Sequence, residues 1–201
     1  MSINTETVLS EDASLIVHEA FLSKEEADAL LAHTATLPLE SNPSFMIYGK
    51  PATMHRDIGF FTDDPAVEGY RYSRQIARSQ PLSPELASLL KKVNDYNGTN
   101  FNAILVNRYK NKRDSIGAHS DDESALVAGL VVAVSLGSPR IFRIREKASK
   151  ARVMDVTTTH GQMLTMSGDQ FQKQFTHEVP PALKREPDGV RVSLTFRRHE
   201  S

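Results

Sequence analysis

Near the middle of the chain, Asn107-Arg108-Tyr109 is followed by Ile116-Gly117-Ala118-His119-Ser120-Asp121-Asp122-Glu123. Far downstream a second histidine stands in Phe175-Thr176-His177-Glu178-Val179-Pro180, and beyond it comes Arg191-Val192-Ser193-Leu194-Thr195-Phe196-Arg197. Two imidazoles and a carboxylate, His119, Asp121 and His177, suit a non-haem Fe(II) centre that keeps coordination positions open. His119 and Asp121 are two residues apart, so on an extended strand both side chains leave the same face and can grip one ion. On spacing alone the same residues could equally be a surface histidine, a loop carboxylate and a hydrogen-bonded histidine beside a proline turn. The remaining histidines, His18, His33, His55, His160 and His199, have no comparable setting.

Arg191 shifts the balance towards chemistry. In an alternating strand Arg191, Ser193, Thr195 and Arg197 share one face, while Val192, Leu194 and Phe196 share the other. Two arginines on one face of a core strand are costly unless that face is wet or holds anions. A polar cavity there would let the planar fork of Arg191 take a carboxylate with two parallel hydrogen bonds, as a dicarboxylate cosubstrate requires. Asn107 and Tyr109 share a face of the strand that precedes His119, and their amide and phenol can complete the hydrogen bonding of that carboxylate.

The elements that must position these residues are legible in outline. Residues 1–12 are polar and aperiodic, which predicts a loose tail. Ser14 to Phe21 reads as a strand. Ser23-Lys24-Glu25-Glu26 forms a capping box, and the helix it starts is expected to reach about Leu37, with Ala27, Leu30 and Leu31 on one face. Ser83-Pro84-Glu85 starts a second helix that buries Leu86, Leu89, Leu90 and Val93 and stops at Asn97-Gly98. From residue 101 the period becomes strand-like over Phe101–Tyr109, Leu130–Leu136, Arg140–Arg145, Ala151–Thr158, Gln162–Met166 and Val190–Arg197, with turn residues between. Many short strands with turn signals indicate a sandwich or barrel. The predicted architecture is α+β and mainly β: one domain over 13–201, with an N-terminal region at 13–99 packed on a catalytic sandwich at 100–198.

The composition, 39% hydrophobic and 24% charged over 201 residues, is that of a soluble globular protein. The absence of cysteine excludes disulfides, thiolate metal sites and a cysteine nucleophile. No apolar run approaches a bilayer span, and the N-terminus lacks a basic region followed by an apolar one. These features predict an intracellular protein of cytoplasm or nucleus, monomeric and without a membrane partner. The net charge of −1 conceals an asymmetry: residues 1–69 carry 3 Lys+Arg against 12 Asp+Glu, and residues 70–201 carry 21 against 13. Either the surface charge is merely uneven, or the C-terminal part offers a basic face to a polyanion.

Taken together, Asn-x-Tyr, His-x-Asp-x-Glu, His-x-Val-Pro and Arg-x5-Arg resemble the AlkB-type dioxygenases that repair alkylated nucleic acid with Fe(II), 2-oxoglutarate and O2. Tyr70-Arg71-Tyr72-Ser73, followed by Pro81 and Pro84, is similar to the nucleotide-recognition motif of that family, and the likeness runs from about Arg56 to Arg198. The resemblance implies a double-stranded β-helix, or jelly-roll, with N-terminal helices and a nucleotide-recognition lid. It implies that His119, Asp121 and His177 hold the iron. Arg191 would hold the distal carboxylate of 2-oxoglutarate, with Asn107 and Tyr109 as its partners, and Arg197 would lie near the other carboxylate. Ser193 stands where the family often has asparagine, which removes reach towards the cosubstrate. On the substrate side Tyr72 would stack on the base and Glu123 would contact its alkylated edge, while Arg56, Arg71 and Arg74 would meet phosphates. Phe60 and Phe61 are read as core packing. The implied reaction is oxidative dealkylation of 1-methyladenine or 3-methylcytosine type bases in DNA or RNA, releasing formaldehyde, succinate and CO2. The competing reading keeps that chemistry and changes the target to a protein side chain, a lipid or a small metabolite.

Overall fold

The computed structural model describes residues 4–47, 49–72, 75–121, 129–182, 184 and 187–199, without the side chains of Ile47, Tyr72 and Gln75. In chain order the elements are β1 (Asn4–Ser10), β2 (Ala13–His18), α1 (Lys24–Thr34), β3 (Ser44–Ile47), β4 (Lys50–Thr53), β5 (Asp57–Phe61), β6 (Gly69–Tyr72), β7 (Gln75–Gln80) and α2 (Pro84–Asn97). They continue with β8 (Ala103–Tyr109), β9 (Ile116–His119), β10 (Leu130–Gly137), β11 (Arg140–Glu146), β12 (Arg152–Thr158), β13 (Met163–Ser167), α3 (Phe171–Gln174), β14 (Phe175–Val179) and β15 (Arg191–Arg197).

The last eight strands divide equally between two sheets, β13-β10-β15-β8 and β12-β11-β14-β9, and every neighbour in each is antiparallel. This is the jelly-roll that the family resemblance implies, and one form of the sandwich that the strand spacing indicates. Of the N-terminal strands, β3 and β4 pair only with each other, and the other five join the larger sheet. β2 and β1 extend the first sheet beyond β13, and β5, β7 and β6 extend it beyond β8, giving nine strands in one sheet.

The alternation of β15 explains the layering. Val192, Leu194 and Phe196 are wholly buried against Val132, Val134 and the α1 and α2 side chains Leu30, Leu86, Leu89 and Val93. Each fully buried aliphatic or aromatic side chain contributes about 1.5–3 kcal/mol of transfer free energy. The opposite face of β15 looks into the gap between the sheets, where a second cluster includes Phe142, Ile144, Leu164, Met166, Phe175 and Val179. Gly137 closes β10 opposite Arg191 at φ 84, and a Cβ there would lie 2.2 Å from the Val190 carbonyl oxygen. Only glycine lets the chain pass so close on its way into Arg191.

Both helix starts follow their caps. The Ser23 hydroxyl accepts from the Glu26 N–H at 3.2 Å, and Glu26 accepts from the Ser23 N–H at 2.8 Å. The Ser83 hydroxyl accepts from the Leu86 N–H at 3.2 Å, and Gly98 ends α2 at φ 63. Two expectations need correction. α1 stops at Thr34 rather than near Leu37, because Thr34 and Thr36 turn their hydroxyls back onto the carbonyls of Leu31 and His33 and Pro38 follows. The predicted loose tail at 1–12 contains β1, which pairs antiparallel with β2 from Asn4↔His18 to Ser10↔Ala13. This edge strand is held by its backbone ladder and stays largely exposed, so no apolar alternation announces it.

Candidate metal centre and anion pocket

β9 and β14 lie side by side in the smaller sheet with His119 directly opposite His177. Their rings sit 4.3 Å apart, centroid to centroid. Asp121 follows two residues after the end of β9, buried at 4% exposure. Its Oδ1 lies 3.9 Å from His119 Nε2, and its Oδ2 lies 3.7 Å from His177 Nε2. One donor atom from each residue falls within 4.8 Å of the others. The Gly117 carbonyl can only accept, so His119 Nδ1, 2.9 Å away, carries the proton and Nε2 keeps its lone pair towards the cluster.

The electrostatics match a metal-ligand set. Burial, with His119 alongside, pushes His177 down to about 3. Burial likewise lowers His119 against the pull of Asp121. Burial by itself would raise Asp121, but Arg197, His177 and His119 outweigh it and hold the carboxyl below its ordinary value. The trio therefore presents two neutral imidazoles and one carboxylate, the protonation states that coordination demands. Asp121 Oδ2 and His177 Nδ1 are buried with no hydrogen-bond partner. A buried carboxylate oxygen left open is costly, and a divalent cation is the group that satisfies it. The nitrogen, nitrogen, oxygen donor set fits Fe(II) with positions to spare.

The pocket beside this cluster opens between the two sheets. Its floor is the polar face of β15. Arg191, Ser193, Thr195 and Arg197 are all buried, so this face is not simply wet. Arg191 stands opposite Tyr109, and Ser193 stands opposite both Asn107 and Ser135. The Arg191 guanidinium lies 5.2 Å from the centre of the Tyr109 ring and gives one hydrogen bond to Ser135 Oγ at 3.0 Å. Its Nε and Nη1 are buried without partners. Such a cation, whose pKa burial lowers, presents two open donors to an anion in the pocket. Arg197 bonds Asp121 Oδ1 directly and packs over the Tyr70 ring at 5.2 Å. It thus steadies the carboxylate of the cluster.

Other expected site residues are placed differently. Arg56, expected among phosphate contacts, is buried in the pocket wall and donates from Nε to Asn107 Oδ1 at 2.7 Å. That bond occupies the carbonyl of Asn107 and leaves its amide nitrogen for a ligand. Arg71 is exposed and paired with Glu68 at 2.8 Å. Glu123, Arg74 and the side chain of Tyr72 lie outside the described residues. Phe60 and Phe61 are core residues. Tyr70, in the same motif as Tyr72, lines the pocket, as do Ala133 and Phe142. Phe142 stacks on His177 at 5.3 Å. A lone hydroxyl in the valine-rich β10 was the available signal for Ser135; nothing local marks Phe142 or the inward turn of Arg56.

Comparison with known proteins places this geometry among relatives. Residues 14–197 match the 2OG-Fe(II) oxygenase superfamily. The chain is 35% identical over 139 residues to human alpha-ketoglutarate-dependent dioxygenase alkB homolog 3, covering 64% of this chain and 47% of that protein. It is 33% identical over 160 residues to bovine DNA oxidative demethylase ALKBH2, covering 76% of this chain and 56% of the relative. The chain thus spans about half the length of these curated relatives. The solved structure of OsALKBH1 superposes with a TM-score of 0.65 at 17% identity, over 97% of this chain and all of that one, a likeness of fold.

Proposed function

The chain belongs to the 2OG-Fe(II) oxygenase superfamily and is of the AlkB type, and on that premise we propose that it oxidatively removes N-alkyl groups from nucleic-acid bases. The observation that carries this reading is the juxtaposition of His119, Asp121 and His177 with the two open donors of Arg191 in one pocket. When bound, Fe(II) would use the four oxidising equivalents of O2, two to convert 2-oxoglutarate to succinate and CO2 and two to hydroxylate an N-alkyl carbon, which would then leave as an aldehyde.

The chain's own residues do the rest. His119, Asp121 and His177 would hold the metal, a three-donor set that leaves coordination positions for the cosubstrate and O2. Arg191 receives the distal carboxylate through Nε and Nη1, with the Tyr109 ring beneath it and Ser135 fixing its other nitrogen. The amide nitrogen of Asn107 is oriented by Arg56 to donate to the same cosubstrate. Ser193 lies on the same face, where its short side chain reaches a cosubstrate only through water. Arg197 keeps Asp121 ionised and turned towards the imidazoles. Apolar walls from Phe142, Met166 and Val179 keep bulk water from the cluster. On the substrate side we assign base stacking to Tyr72, contact with the alkylated edge to Glu123, and phosphate contacts to Arg71 and Arg74. Arg56, facing the pocket, is assigned to the base rather than to phosphate.

The test is matched oligonucleotides of DNA and RNA carrying 1-methyladenine or 3-methylcytosine, with succinate and formaldehyde measured in parallel. The reading requires both products to rise with a methylated oligonucleotide and the lesion to disappear. Succinate formation that no oligonucleotide stimulates would move the target to a protein, lipid or metabolite.

A further inference from the structure

We infer that Gln172 is a positioning residue for the metal centre, setting the Asp121 carboxylate through the backbone; this rests on the reading of His119, Asp121 and His177 as metal ligands. The β9–β14 ladder pairs His177 with His119 and goes no further, so the Asp121 N–H lies beyond it. A buried backbone N–H needs a partner, and here the partner is Gln172 Oε1 at 2.9 Å. The other end of the Gln172 amide approaches the Met166 thioether, 3.8 Å away, which fixes which end of the amide faces Asp121. One residue earlier, the Ser120 hydroxyl donates to the Phe175 carbonyl at 2.9 Å.

Gln172 belongs to α3, a single turn anchored by the buried Phe171, and α3 runs directly into β14. One continuous segment, 172–177, therefore carries the ligand His177 and grips the chain on either side of the Ser120–Asp121 peptide. Arg197 holds the Asp121 carboxylate from β15, and Gln172 holds its backbone from α3. With both in place the carboxylate has one position relative to both imidazoles. Without the amide, Asp121 keeps its charge and loses its registration. Outer partners of this sort govern metal affinity by orienting ligands that are already present.

The experiment is a titration of the 201-residue chain with Co(II), followed by its ligand-field absorption, for wild type and three variants. Thermal unfolding of each apo form is measured alongside. Gln172→Leu removes the acceptor. Gln172→Asn keeps a polar amide but is one methylene too short to reach the Asp121 N–H. Gln172→Glu keeps an acceptor oxygen at the same reach. The first two are expected to bind Co(II) on the order of tenfold more weakly than wild type and with an altered absorption envelope. Gln172→Glu is expected to keep the wild-type envelope and to lose less than about tenfold in affinity. If Gln172→Leu does not fold, Gln172→Asn decides by itself. Wild-type affinity and spectrum in the acceptor-deficient variants, even with a lowered unfolding temperature, would overturn the inference and leave the metal centre standing. Failure of the wild type itself to bind Co(II) would overturn the metal centre.

Discussion

At the scale of single residues, charge decides the site. Asp121 is the one anionic donor of the trio, and Asp121→Ala is expected to abolish metal binding and bring turnover to background. Metal titration and succinate assays check this, and full turnover by the variant would contradict the ligand assignment. Arg191 presents a planar fork that lysine cannot reproduce. Losing one charge-assisted hydrogen bond costs about 1.5–3 kcal/mol, so Arg191→Lys should raise the KM for 2-oxoglutarate by about tenfold or more. The KM for nucleic acid should change far less, and an unchanged 2-oxoglutarate KM would remove Arg191 from the cosubstrate site. His199 lies outside the cluster, buried edge-on to Phe60. Burial, with Arg197 beside it, pushes it down to about 4 from 6.5. Because its folded value is depressed, the unfolded chain binds its proton first. Stability is therefore full above about pH 6.5 and is lost as pH falls towards 4, by on the order of 1–3 kcal/mol for this group. Denaturant unfolding across that range should show a shallower loss in His199→Leu than in wild type.

At the scale of elements, strand pairing brings the chemistry together. β9 and β14 place His119 against His177, and β8 and β15 place Tyr109 against Arg191, across sequence separations that no local pattern spans. The face assignments of β15 and β8 were legible, because a period of two is written in the residues themselves. The pairing of the two strands was not. Helix α1 lies over β10, the strand that carries Ser135, and its capping box is reciprocal. Ser23→Ala is expected to cost about 1 kcal/mol of global stability while leaving metal affinity unchanged. Denaturant midpoints compared at constant slope give the first quantity, and Co(II) titration gives the second. A variant as stable as wild type would show that packing alone holds the helix start.

At the scale of the whole molecule, charge and surface govern the partner. The 70–201 segment carries an excess of eight positive charges, yet several are spent internally: Arg140, Arg191 and Arg197 are buried, and Arg143, Arg145 and Arg152 pair with Asp155 or Glu178. Among the described residues no helix is long and apolar enough to cross a membrane. Binding to a methylated oligonucleotide should therefore weaken with salt along a small log–log slope, equivalent to about two to four phosphates. Charge reversal at Arg71 and Arg74 should weaken binding and flatten that slope without touching metal affinity. A salt-independent affinity would favour a protein or small-molecule substrate.

The sequence by itself determined the arginine-bearing strand and both helix starts, because each is carried by residue type at short, fixed spacing, and it named the donor set through the motifs that carry the AlkB-type kinship. Only the tertiary structure decided the rest. Edge strand β1 is held by backbone hydrogen bonds that leave no apolar signature. Five of the N-terminal strands, β1, β2, β5, β6 and β7, join the catalytic sheet instead of standing apart, a matter of pairing between distant segments. Arg56 looks like a surface cation in the sequence, and it turns inward because Asn107, fifty-one residues away, offers it a carbonyl. Gln172 is one of several glutamines in a polar stretch, and it becomes distinctive only where the fold lays its amide against the N–H of Asp121. Such placements depend on groups meeting across the fold, and hydrogen bonds between distant residues leave no period in the chain that makes them.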